Sequence, residues 1–213
     1  MTPPGCWITT VTRPDIWALV HVERAALIAD LAELTPAQWA QASLCEGWSI
    51  HDVAAHLSDS ARTSRWGFAA GLVRARFDFD AQNAHGIARE RGSSPDDTLN
   101  RLREAATFTK TPPAPLASRL VEEIVHGEDI RRPLGLTRFY PPAAVKLALE
   151  YQVRTSSSMG GAKELTARVE LVAADVSYAV GKGPRVRGPV LELLLASAGR
   201  PALGLDGPGV ALL

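Results

Sequence analysis

Apolar residues recur at three- and four-residue spacing through most of the chain, the period of helices that bury one face. Ile16, Leu19, Val20, Leu27, Leu31 and Leu34 predict a helix over 14–34. Thr12-Arg13-Pro14-Asp15 opens it with an N-cap, a proline near the first helical position and an early acid. Thr35-Pro36-Ala37-Gln38 reads as a capping box for a short helix carrying Trp39, and Cys45-Glu46-Gly47-Trp48 interrupts the pattern. Ser49 with Asp52 repeats the cap signature, and the stripe Ile50, Val53, Ala54, Leu57 and Ala61 predicts a helix running on toward Val73. A weakly helical stretch follows over 77–89. Ser94 caps a further helix through 108, and prolines 112, 113 and 115 force a loop. Leu116, Leu120, Val121, Ile124 and Val125 mark a helix ended by Pro133, and Pro141-Pro142 opens a last long helix through 154.

Beyond Thr155-Ser156-Ser157-Ser158 the period shortens. Leu165, Ala167, Val169 and Leu171 alternate with Thr166, Arg168 and Glu170, the two-residue period of a half-buried strand, and Val176, Tyr178 and Val180 repeat it. Gly181-Lys182-Gly183-Pro184 reads as a turn, Gly188-Pro189 opens a helix along Leu191, Leu193, Leu194 and Leu195, and Gly199 ends it. A Gly-Pro turn in the tail, 202–213, suits a short hairpin. The expected fold is therefore mainly α: an antiparallel helical bundle over 12–157, then a small α+β C-terminal domain over 158–213. A unit of that size seldom stands alone, so it is expected to pack on the bundle.

Composition narrows the function classes. The 213 residues are 46% hydrophobic and 22% charged, enough apolar material for a substantial core. Lys+Arg and Asp+Glu are both 23, so no global positive field recruits nucleic acid or an anionic membrane. Two cysteines, Cys6 and Cys45, offer neither a disulfide framework nor a thiolate zinc site, which fits a reduced cytoplasm. Residues 1–10 lack the basic start and apolar run of a signal peptide, and no apolar stretch reaches the ~18 residues of a membrane span.

With no phosphate loop or nucleophile elbow, the sharpest polar features are the five histidines, His21, His51, His56, His85 and His126. His56 sits at the margin of an apolar stripe, next to Leu57. Glu122 and His126 are four apart on one helix, so a carboxylate and an imidazole project together. Two histidines and one carboxylate from facing helices make the inward-projecting metal site that bundles build, suited to zinc or another divalent ion and leaving a position open. The same residues also read as satisfied boundary positions, and spacing alone leaves both readings standing. Asp129, three residues after His126, is placed either to accept the other imidazole N–H or to pair with Arg132 on the surface. His51, in a first helical turn, is expected to face water. Cys45 reads as a buried small residue and Trp48 as a core staple.

Three segments carry a family resemblance. They are Leu44-Cys45-Glu46-Gly47-Trp48-Ser49-Ile50-His51-Asp52-Val53-Ala54-Ala55-His56-Leu57, then Glu122-Glu123-Ile124-Val125-His126-Gly127-Glu128-Asp129-Ile130-Arg131-Arg132-Pro133-Leu134-Gly135, and the stretch from Ala174-Asp175-Val176 through Gly183-Pro184-Arg185-Val186-Arg187-Gly188-Pro189 to Ala198-Gly199-Arg200. They resemble the mycothiol-dependent maleylpyruvate isomerase-like proteins of actinobacteria, within the DinB/YfiT-like metal-binding bundle superfamily. The resemblance implies a DinB-like four-helix bundle holding one divalent metal, usually zinc, through His56, Glu122 and His126. It also implies a cofactor, mycothiol, whose metal-bound thiolate attacks an electrophile, with Arg187 or Arg200 from the small domain as candidate partners of an anionic substrate.

The leading expectation is thus a metal-dependent enzyme that activates a low-molecular-weight thiol, as a maleylpyruvate-type cis-trans isomerase or a thiol S-transferase. A non-catalytic metal- or ligand-binding module and a metal-dependent hydrolase are the alternatives. The expected partners are a small thiol and an electrophilic substrate, with no nucleic acid and no membrane, for a monomer or homodimer.

Overall fold

The computed structural model describes residues 12–213, so the expectations for residues 1–10 and Cys6 lie outside the described residues. Four helices open on reciprocal capping boxes, in which a hydroxyl accepts from the third backbone N–H and the third side chain accepts from the cap. Thr12 with Asp15 starts α1 (Arg13–Ala32), Thr35 with Gln38 starts α2 (Pro36–Trp39), Ser49 with Asp52 starts α3 (Ile50–Arg62), and Ser94 with Asp97 starts α6 (Pro95–Ala105). Between the last two lie α4 (Arg65–Arg74) and α5 (Phe79–Glu90). After the proline loop come α7 (Ser118–Arg131) and α8 (Pro142–Gln152).

Helices α1, α3, α6 and α7 form the bundle, α5 packs on α3, and α8 packs on α7. Two apolar clusters fill the interior. One joins Leu27 and Leu31 of α1 to Ile50, Val53 and Leu57 of α3, Leu99 and Leu102 of α6, and Ile130 of α7. The other joins Trp17 and Val20 of α1, Leu120, Ile124 and Val125 of α7, and Val145 and Leu149 of α8 to the C-terminal elements. Those elements are β1 (Glu170–Ala173), β2 (Ala179–Gly181), β3 (Arg185–Gly188) and α9 (Val190–Ser197). The sheet order is β2-β1-β3, antiparallel between β1 and β2 and parallel between β1 and β3, with Leu171 aligned to Val180 and Val186. Leu171, Val186 and Leu193–Leu195 enter the same cluster as α7 and α8, so one apolar core crosses residue 158. No helix among the described residues is long and apolar enough to cross a membrane.

Several expected elements are corrected. The helix expected to continue toward Val73 ends at Arg62, where Thr63 turns extended (ψ 120°) and the Ser64 hydroxyl accepts from Gly67 N–H to start α4. Helix α4 has no buried residue, and Trp66, at 86% exposure, and Val73 face outward. Leu165–Ala167, expected as strand, is a 3-10 turn, and pairing begins only at Glu170. The short strand β3 was not anticipated, being closed in by Gly183-Pro184 and Gly188-Pro189. The tail forms no hairpin of its own: Asp206 and Arg187 exchange backbone hydrogen bonds at 2.8 Å, and Val210–Leu212 is a 3-10 turn.

Candidate functional site

The second half of α3, the first half of α7, the loop before α3 and the end of α9 converge on a cleft of about 990 Å³. Ser49 fixes the start of α3, which places His56 in the second turn among Val53, Ala55 and Leu57, with its ring largely buried. On α7 the four-residue spacing stacks Glu122 below His126, as their sequence positions require. His56 Nε2 lies 2.7 Å from Glu122 Oε1, and His126 Nε2 lies 3.9 Å from the same oxygen. The two imidazoles meet edge to face, with ring centres 4.9 Å apart. One ligand atom from each of the three residues falls within 4.8 Å of the others.

Behind His126 lies a second layer. Asp129 Oδ2 is 2.9 Å from His126 Nδ1, and the network assigns that nitrogen the proton, leaving Nε2 with its lone pair toward Glu122 and His56. Asp129 is fully buried, while Arg132 pairs with Glu128 and Glu192, so the alternative surface pair with Asp129 does not form. The Cys45 thiol donates to Asp129 Oδ2 at 3.0 Å and lies 3.6 Å from His126 Nδ1. Arg200 closes the cluster, donating from Nε to Oδ1 at 3.0 Å and from Nη2 to Oδ2 at 2.9 Å.

Burial works against ionisation of Glu122. The hydrogen bond from His56 and the charges of Arg119, His56 and His126 outweigh it and hold the carboxyl well below the usual range. Asp129 behaves alike: burial opposes its charge, and the hydrogen bonds of His126 and Arg200 prevail. Cys45 goes the other way, since burial and then the Asp129 charge push its thiol up to about 12 against the pull of Arg200.

Other residues fall differently from their expected places. His51 is not at the surface: it is buried against Trp39, its Nε2 2.7 Å from Thr98 Oγ1, because α6 packs over the first turn of α3. Trp48 packs against the apolar cluster as expected but also lies 5.2 Å, centre to centre, from His56 and 6.4 Å from His126, forming a wall of the cleft. Arg187 is exposed on β3 and does not line the cleft, because the strand alternation turns Val186 and Gly188 inward and Arg185 and Arg187 out. Arg200 does line it, with its donors directed to Asp129, Cys45 and the Ala198 carbonyl. His21 stacks on Trp17, and His85 is exposed. Arg119 went unremarked in the sequence. Buried on α7, it donates to Ser60 Oγ at 2.6 Å and lies 3.6 Å from Glu122 Oε2; its position one turn before Glu122 was the available signal.

Residues 20–111 match a family model described as the mycothiol maleylpyruvate isomerase N-terminal domain. That span includes His56 and stops short of Glu122 and His126. Two solved structures are similar over 92% of this chain and 92% of theirs, each at 16% identity. One is a crystal structure of the mycothiol-dependent maleylpyruvate isomerase, with a TM-score of 0.60, and the other is a histidine-to-alanine mutant of that enzyme, with a TM-score of 0.62. No curated protein sequence is a significant match. Residues 20–111 are thus similar to the mycothiol maleylpyruvate isomerase N-terminal domain, and the backbone takes, over nearly its whole length, the fold of those two structures.

Proposed function

We propose that this protein is a metal-dependent enzyme that uses a small thiol of the mycothiol kind to act on an electrophilic small molecule, as a maleylpyruvate-type cis-trans isomerase or a thiol S-transferase. The observation that carries the reading is the convergence of His56 Nε2, Glu122 Oε1 and His126 Nε2 on the wall of a large open cleft. Two imidazole nitrogens and one carboxylate oxygen suit zinc or another divalent transition ion, and three protein ligands leave room for an external one. Two details fit a cation there. The short His56–Glu122 contact brings an imidazole nitrogen and a carboxylate oxygen to the same point, as a shared cation would, and the buried His56 Nδ1 finds no partner among the described residues, so it is free to carry the ring proton. When bound, the metal supplies a Lewis acid that favours the deprotonated form of a thiol beside it.

The chain's own residues prepare that position. Asp129 holds the His126 ring in one tautomer and one orientation. Arg119, beside Oε2 of Glu122, leaves Oε1 to face the histidines. Trp48, Val121 and Val125 give the cleft an apolar flank that excludes water, and its volume is that of a small-molecule site. We read residues 12–157 as the unit supplying the ligands and 158–213 as a cap whose Ala198, Gly199 and Arg200 close one side.

Elemental analysis of protein purified without chelator, followed by isothermal titration with mycothiol, tests the reading. The expected result is a single equivalent of zinc or a similar ion, lost in His126→Ala, and mycothiol binding that disappears with it. Metal-free protein with no metal-dependent shift in melting overturns the reading. Turnover of esters without added thiol moves it to hydrolysis.

A further inference from the structure

Two ligand groups, not one, meet at His126. On the Nε2 side stand His56 and Glu122, and on the Nδ1 side stand Cys45 and Asp129, again with ligand atoms within 4.8 Å of one another. A thiol, an imidazole and a carboxylate form a competent set for zinc-class ions, and the sulfur makes it the softer of the two. A protein that works with an external thiol on one metal has thus placed its own thiol, and a second set of ligands, on the far side of the same ring.

Arg200 stands in that second set. Its planar guanidinium grips both oxygens of Asp129, Nη2 also lies 3.2 Å from Cys45 Sγ, and Nη1 donates to the Ala198 carbonyl at 2.6 Å. Its place is fixed by how α9 ends. Gly199, at φ +74°, turns the chain left-handed, and the N–H groups of Gly199 and Arg200 return to the carbonyls of Ala196 and Leu195 at 3.0 and 2.9 Å, the Schellman arrangement. The cysteine is held from its own side: Ser43 Oγ accepts from Cys45 N–H at 3.1 Å, and Leu44 N–H donates to the Asp129 carbonyl at 3.1 Å. A guanidinium keeps its charge at every working pH, so this cation does not come and go.

We propose that Arg200 is the permanent cation of the Cys45–His126–Asp129 set, and that its presence limits the protein to one metal ion and keeps Cys45 out of metal coordination. Arg200 is in this sense a specificity-determining residue, reserving the open metal position for an external thiol. The inference rests on the metal reading of His56, Glu122 and His126. Replacing Arg200 by an uncharged residue frees the Cys45 sulfur and the Asp129 oxygens for a second ion, which enters as the thiol proton and the His126 Nδ1 proton leave to solvent, the ring then bridging the two ions as an imidazolate.

Cobalt(II) titration of the purified protein, followed by absorbance, tests this, because a thiolate bound to cobalt gives a near-ultraviolet charge-transfer band that nitrogen and oxygen ligands do not. Wild-type protein is expected to take a single equivalent with no such band. Arg200→Met and Arg200→Gln are both made, so that one which keeps the wild-type circular dichroism is in hand, and each folded variant should take a second equivalent with the band. The band should vanish when Cys45→Ser is added, and Arg200→Lys, which keeps a cation, should behave as wild type. A thiolate band already present in the wild type, or folded Met and Gln variants that stay at one equivalent without it, overturns the proposal. Wild-type protein that takes no cobalt overturns the reading of the first site instead, and the Met and Gln variants then decide the Arg200 proposal alone, by the presence or absence of the band.

Discussion

His51 shows how a single side chain ties stability to pH. Its ring is enclosed by Trp39 and Thr98, with Nε2 2.7 Å from Thr98 Oγ1, an oxygen that also accepts from Gly92 N–H. Burial first, and the charge of Arg91 second, lower its pKa below 6.5, against the smaller pull of Asp52. The unfolded chain therefore takes up a proton that the folded one refuses. His51 contributes its full stabilisation above the unfolded pKa, and that contribution is lost as pH falls from there through the folded pKa. In urea unfolding, the stability gap between wild type and His51→Gln should narrow as the pH falls below the ordinary histidine range; parallel curves would show that His51 titrates normally in the fold. The sequence placed His51 at the surface because first-turn residues usually point to water, and nothing local tells that α6 covers this turn. Glu122 and His126 were legible, since four-residue spacing fixes their neighbourhood whatever the tertiary structure. Cys45 and Arg200 were not legible as partners: 155 residues separate them, and no periodicity connects a loop before α3 to the end of α9.

At the scale of elements, helix starts were the most readable feature, because a capping box is a local exchange of hydrogen bonds among four residues. The run past Arg62 was misread for the opposite reason. A rule that turns apolar faces inward has no means of recognising α4, whose Trp66 and Val73 face solvent. The end of α9 is local again, and its cost is calculable. No atom lies within 4 Å of the place a Cβ would take on Gly199, so Gly199→Ala meets no clash, only the penalty of a left-handed backbone. That penalty is about 1–2 kcal/mol, a fall of several degrees in Tm for a chain of this size. Gly199→Asn should lose less, since asparagine tolerates that conformation. Equal melting of the glycine, asparagine and alanine proteins would mean that the turn at 199 relaxes freely and does not fix Arg200.

The whole molecule raises the question of independence between 12–157 and 158–213. The sequence suggested a boundary from the change of period near 158, and the size of the second part argued that it needs support. The packing gives that support a form: Leu171 of β1, with no exposed surface, shares one cluster with Ile124 and Val125 of α7 and Leu149 of α8, and α7 also carries Glu122 and His126. Removing apolar volume from the sheet therefore loosens the cluster against which the helix holding the candidate ligands packs. Leu171→Ala should cost about 2–5 kcal/mol, the usual range for a leucine cut back to alanine inside a packed core. All five tryptophans, Trp7, Trp17, Trp39, Trp48 and Trp66, lie before residue 158, so tryptophan fluorescence comes from the N-terminal part alone, whereas far-ultraviolet circular dichroism reports on the whole chain. If the two parts unfold as one, the variant's fluorescence and circular dichroism transitions shift together to the same lower midpoint. A fluorescence midpoint that stays at the wild-type value while the circular dichroism splits into two steps would make the second part a separately melting unit. In that case Arg200 would leave the Asp129 cluster while the bundle is still folded.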